Sequence, residues 1–131
     1  MSDAILKKRT SAMLSFHRRN AKKKFQSLDY GLEELRKLAS DALAKPCVYC
    51  RALMGNLDWQ CDHKQPISRG GSFSLGNVEV ICLRCNQWKG ALTSSEFASL
   101  LACLEEIGPI GKKEVLERLR CGGAAKGRRR R

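Results

Sequence analysis

Two cysteine pairs are the first chemistry legible in this chain. Cys47-x-x-Cys50 and Cys82-x-x-Cys85 are separated by 31 residues. A C-x-x-C turn presents two thiolates from one tight loop. Two such turns supply the four soft ligands of a tetrahedral zinc ion and leave no coordination position open. Zinc held in that way staples a fold and does no chemistry. The gap between the pairs is longer than in a simple zinc ribbon and has room for a working insert. Cys61, Cys103 and Cys121 have no partner spacing and read as small core or surface residues. Cys61 is the least settled of these, because Asp62-His63 follows it directly. An isolated Asp-His pair is ordinarily a surface or core pair. This one lies between two metal knuckles, and His63 is the only histidine of the central region. Its imidazole can take a proton near neutral pH.

The insert and its flank carry an ordered string of residues. After Cys47-x-x-Cys50 come Asp62-His63-x-x-Pro66, Gly70-Gly71 and Asn77, then Cys82-x-x-Cys85-Asn86-x-x-Lys89-Gly90. In residue types, order and spacing this string resembles the HNH endonucleases, a ββα-metal nuclease superfamily. The resemblance covers about a third of the chain. It implies an α+β fold: a small ββα-metal core stapled by the four-cysteine zinc site and flanked by N-terminal and C-terminal helices. It also implies phosphodiester hydrolysis, which needs a base for water, a cation beside the phosphorus and help for the leaving oxygen. His63 is the base under this reading. Asp62 and Asn86 are the protein ligands of a divalent ion, Mg²⁺ or Mn²⁺, held through hard oxygens. Asn77 stands at the family's central Asn, which pins the loop between the strands through backbone groups. On a regular strand Asp62 and His63 point to opposite faces. The resemblance implies a distorted strand end where both reach one site.

Many members of the family carry His where this chain has Asn86, which makes the pattern here HNN. A similar arrangement occurs in the phage endonuclease VII type and in small phage HNH proteins. The implied products are a 5′ phosphate and a 3′ hydroxyl, with one cut per active site, so that a monomer nicks DNA. Two alternatives stand beside this. One is a branched-DNA resolving nuclease acting as a homodimer. The other is a noncatalytic, zinc-stabilised module that binds nucleic acid.

The composition agrees with a polyanionic partner. The chain has 131 residues, with 25 Lys and Arg against 13 Asp and Glu, a net +12. Residues 1–46 carry +6, residues 47–92 only +2, and residues 93–131 +4. Basic flanks around a nearly neutral middle suggest grips around a device. Lys22, Lys23 and Lys24 are candidate phosphate contacts. Arg69 and Lys89 are too, with a solvated surface charge as the equal alternative. His17, set among Arg18, Arg19 and the lysines, reads as a helix-surface residue. Trp59 and Trp88 read as core. No apolar run is long enough to span a membrane, and MSDAILKKRT contains no signal-peptide core. The thiol usage and the motif suit a bacterial cytoplasm or a phage-infected host.

The elements that must position these residues follow from pattern. Residues 4–26 read as a basic helix. A second helix carries Leu32, Leu35, Leu38, Ala42 and Leu43 at helical spacing, capped by Asp29 and ended by Pro46. Residues 59–63 and 77–82 read as strands, with a loop at Ser68–Ser72 and a short helix from about Leu83 to Gly90. Thr93-Ser94-Ser95-Glu96 opens a helix with Phe97, Leu100, Leu101 and Leu104 on one face. Gly108-Pro109 breaks it, and residues 112–120 form a final short helix. The expected organisation is a basic helical extension over 1–46 and a nuclease core over 47–92. C-terminal helices follow over 93–121, then a disordered Arg-rich tail over 122–131.

Overall fold

Alternation of side chains builds the centre of the molecule. Trp59–His63 (β1) and Val78–Cys82 (β2) pair antiparallel, with Trp59 opposite Cys82, Cys61 opposite Val80 and His63 opposite Val78. These six residues share one face of the sheet, and Gln60, Asp62, Glu79 and Ile81 share the other. β2 runs straight into the helix Leu83–Lys89 (α3). Strand, loop, strand and helix therefore follow in the order expected from sequence. This computed structural model describes residues 2–129, with side chains described through residue 121.

Two five-residue strands cannot sustain a sheet unaided, and both faces are covered. The first face packs under two helices, Asp3–Lys23 (α1) and Leu32–Leu43 (α2). Leu14, Tyr30, Leu35 and Ala39 meet Trp59, Cys61, Val78 and Val80 there. α1 buries Thr10, Leu14, His17 and Ala21, a stripe at helical spacing. The Arg9 guanidinium lies 4.8 Å over the Trp59 ring. On the other side Ile81 packs with Phe97, Leu101, Leu104 and Leu116, and Cys82, at the strand end, joins this cluster with Cys85. Those come from Ser94–Glu105 (α4) and Gly108–Arg129 (α5). Trp59 is fully buried, and Trp88 is half-buried against the second cluster.

The helix ends follow local chemistry. Thr93 Oγ1 accepts from the Glu96 N–H at 3.1 Å, and Glu96 reaches back to the Thr93 N–H at 2.9 Å. That is the reciprocal cap the sequence announces. α2 starts differently from expectation. Its cap position is Gly31, whose N–H donates to the Glu34 carboxylate at 3.0 Å. Asp29 lies outside the helix. Its Oδ1 accepts from the Leu75 N–H at 2.8 Å, and its own N–H donates to the Phe73 carbonyl at 3.3 Å. Asp29 thus ties the α1–α2 connection to the loop before β2. α5 begins at Gly108-Pro109, where proline's missing N–H costs nothing in the first turn, and continues to Arg129. It is longer than the helix expected over 112–120. The expectation of a disordered tail falls largely on residues 122–131, whose side chains lie outside the described residues.

The four motif cysteines converge. The Sγ atoms of Cys47, Cys50, Cys82 and Cys85 all lie within 4.8 Å of one another. Zinc–sulfur bonds of about 2.3 Å in a tetrahedron put sulfurs roughly 3.8 Å apart, so the donor set and its size fit a zinc ion. The first knuckle closes through the Arg51 N–H to the Cys47 carbonyl, 2.9 Å, with Arg51 at a left-handed φ of 66°. In the second knuckle Cys82 Sγ accepts from the Cys85 N–H at 3.4 Å. Cys61 is outside this group. Burial raises its thiol to about 12, which keeps it a neutral core residue. Zinc binding to such a site is folding free energy. Cys85→Ser, or chelation of the wild type, should therefore abolish cooperative thermal unfolding by circular dichroism and empty the protein of zinc by atomic absorption. A chelated protein that melts like the metal-loaded one would refute a stapling role.

Candidate active site

β1 pairs with β2 along one edge only, and its other edge borders a cleft of about 530 Å³. Residues from both faces of β1 line this cleft, Asp62 and His63 among them. The strand is regular. The two side chains do point to opposite faces, and the open edge is what lets both reach one space. Asn86 enters from α3, and α1 forms the facing wall with Met13, Phe16 and His17.

The loop from Lys64 to Asn77 is held by one side chain. Asn77 Oδ1 accepts from the Gln65 N–H at 2.9 Å, and its Nδ2 donates to the carbonyls of Gln65, 3.0 Å, and Ser72, 2.9 Å. The Lys64 N–H donates to the Asn77 carbonyl at 2.7 Å. Gly71 permits this closure. A Cβ there would sit 1.9 Å from the Gln65 carbonyl oxygen, and its N–H donates to Pro66 at 2.9 Å. Asn77 is therefore a clamp behind the cleft and does not line it.

His63 is wedged between two rings. His17 lies 4.9 Å away by ring centroids, and Phe73 meets it edge-on at 5.7 Å. Its Nε2 is buried and has no hydrogen-bond partner among the described residues. Burial lowers the imidazole below its ordinary pKa; Asp62 opposes this and Lys89 adds to it. The result is a neutral imidazole with an unengaged nitrogen beside a cleft, which is what a general base needs.

Asp62 faces the other way, onto α3. Its Oδ2 lies 2.8 Å from Lys89 Nζ, and the same ammonium donates to the His63 carbonyl at 3.0 Å. Lys89 is 1% exposed. This corrects the expectation that Lys89 contacts phosphate: it is an internal brace under the Asp62-His63 pair. A lysine is buried only when paired, and Asp62 is the partner that keeps it there. Arg69 is exposed but engaged. It pairs with Glu96 and donates to the Ala91 carbonyl at 3.2 Å. That pairing, with the Thr93 N–H, holds the Glu96 carboxyl low, at about 2. Lys22, Lys23 and Lys24 are exposed at the end of α1.

His17 corrects the surface reading in the opposite direction. It is 4% exposed, and its Nδ1 lies 2.6 Å from the Tyr30 hydroxyl. Sequence reasoning passed over it because it sits in a basic run. The signal that finds it is its place in the buried stripe of Thr10, Leu14 and Ala21.

Residues 47–92 match the HNH endonuclease family. The match opens on the first zinc cysteine and closes just past α3, enclosing the ββα unit and both knuckles. It covers about a third of the chain and supports a nuclease. No curated protein matches the chain. Among the described residues no helix is long and apolar enough to cross a membrane.

Asn77→Ala should lower stability by about 1–3 kcal/mol, since it strands a Gln65 N–H and two carbonyls. Urea denaturation measures this, and an unchanged midpoint would contradict the clamp. Lys89→Met leaves the Asp62 carboxylate without its cation. It should cost about 3 kcal/mol, the low end for a broken buried pair, because Asp62 keeps one side open to the cleft. An unaltered melting temperature would show that the brace contributes nothing.

Proposed function

We propose that this protein is a metal-dependent endonuclease that hydrolyses DNA phosphodiester bonds one strand at a time. The observation that carries this reading is His63, an imidazole whose buried Nε2 has no hydrogen-bond partner among the described residues and which lines one cleft with Asp62 and Asn86. In the mechanism, water bound in the cleft gives a proton to His63 as its oxygen attacks phosphorus in line. The bond from phosphorus to the 3′ oxygen breaks, and that oxygen takes a proton from solvent water. One strand end keeps a 5′ phosphate and the other a 3′ hydroxyl.

The donors in the cleft suit a hard divalent cation. Asp62 Oδ2 is taken by Lys89, which leaves Oδ1 for the cleft, and Asn86 offers an amide oxygen. Together they would hold Mg²⁺ or Mn²⁺, with water and phosphate completing the shell. When bound, the ion supplies positive charge beside the phosphate and the leaving oxygen. Lys89 fixes the Asp62 rotamer, Asn77 fixes the loop that follows His63, and Lys22, Lys23 and Lys24 grip the DNA backbone. Asp62, His63 and Asn86 of one chain make one such cleft among the described residues, so a monomer nicks. Resolving a four-way junction would take two copies placed symmetrically.

Supercoiled plasmid should be converted to the open circle in the presence of Mg²⁺ or Mn²⁺, and EDTA should stop it. His63→Ala should lose at least about a hundredfold in rate, the scale of a general base, with zinc content unchanged. A panel of duplex, nicked, junction and single-stranded substrates should show cleavage in at least one form. Absence of cleavage across the panel would leave a zinc-stabilised binding module as the better reading.

A further inference from the structure

The catalytic reading uses His63 and leaves a second buried histidine unexplained. His17 belongs to α1, outside the residues that match the nuclease family. It lies where the apolar cluster of Leu14, Leu35, Ala39 and Cys61 meets the cleft that Asp62 and His63 line. A polar pair in such a place costs desolvation that an apolar residue would avoid. The pair is nonetheless well made. Tyr30, 5% exposed, places its hydroxyl 2.6 Å from His17 Nδ1. Burial raises the Tyr30 pKa, so the phenol keeps its proton. Tyr30 holds the ring from behind, and its centroid lies 4.9 Å from that of His63 with the two planes tilted by 47°. Phe73 closes the other side of His63.

We propose that His17, held by Tyr30, is a positioning residue for His63, and that α1 and α2 are part of the nuclease unit rather than an appended extension. This rests on the reading of His63 as the base. His17 is assigned no proton transfer: its Nδ1 is engaged by the Tyr30 hydroxyl, and the base of the proposed reaction is His63. Its contribution is the wall that allows His63 one ring orientation at the edge of the cleft. A free imidazole beside a 530 Å³ cleft would otherwise sample other rotamers. Misplacing a reacting group by about 1 Å can cost on the order of a hundredfold in rate.

The test uses the full chain with zinc bound and three variants: Tyr30→Phe, His17→Phe and His17→Ala. Nicking is measured at saturating DNA, well below each variant's melting temperature. The expected result is a fall in kcat of roughly 10- to 100-fold in His17→Ala, with KM for DNA unchanged. His17→Phe keeps a flat ring against His63 and should retain more activity than His17→Ala. Tyr30→Phe should fall between the wild type and His17→Ala. A second readout needs no cleavage: the ring resonances of His63 by NMR. The wild type should show one set, with cross-ring contacts to His17, and His17→Ala should show rotamer averaging. Wild-type kcat in all three variants, while His63→Ala is dead, would overturn the proposal and leave the nuclease reading intact. If the wild type cuts nothing, the nuclease reading fails, and the NMR result alone decides the positioning role. An unaltered His63 ring signal in His17→Ala would overturn it there too.

Discussion

The junction between β2 and α3 governs this molecule. Cys82 ends the strand, and Cys85 lies three residues later on the helix. A zinc ion joining both to Cys47 and Cys50 would lock the angle between sheet and helix. A seven-residue helix and a two-stranded sheet are each too short to persist alone. Asn86 and Lys89 lie within little more than a turn of Cys85, so the staple sets their positions directly. Asn86 reaches the cleft, and Lys89 reaches back beneath Asp62. A closed metal site at the four cysteines would supply the rigidity that so small a core lacks.

The sheet then divides the labour between two neighbouring residues. Asp62 turns toward α3, where Lys89 holds one oxygen. His63 turns toward α1, where His17 and Phe73 hold the ring. No distortion of the strand is needed, because β1 is an edge and its free side opens on the cleft. One residue is fixed by charge and the other by shape. The loop that joins the strands is closed by Asn77, which forms its bonds with main-chain atoms. A clamp of that kind depends on backbone path alone and tolerates changes in the loop's other side chains.

Most of the core was legible in the sequence for local reasons. The strands alternate, Thr93 and Glu96 announce a cap, and C-x-x-C spacing fixes where sulfurs can meet. Side chains governed by long-range contacts were not legible. Asp29 is a good cap residue, yet it is used 46 residues away to bind the Leu75 N–H. Lys89 looks like a surface cation at the end of a short helix, and only the fold puts Asp62 beside it. His17 stands among basic residues, which favours an exposed reading. The stripe of Thr10, Leu14 and Ala21 points inward, but its contact with His63 spans 46 positions and cannot be inferred from periodicity. The family match likewise ends where the local signal ends, and α1 closes the site from outside it.

The central claim is hydrolysis by water activated at His63, with the 3′ oxygen as the leaving group. It is tested most directly by cleaving DNA in water enriched in oxygen-18 and analysing the new ends by mass spectrometry. The account predicts the heavy oxygen on a 5′ phosphate and an unlabelled 3′ hydroxyl opposite it. A labelled 3′ phosphate, or a cyclic phosphate end, would contradict it.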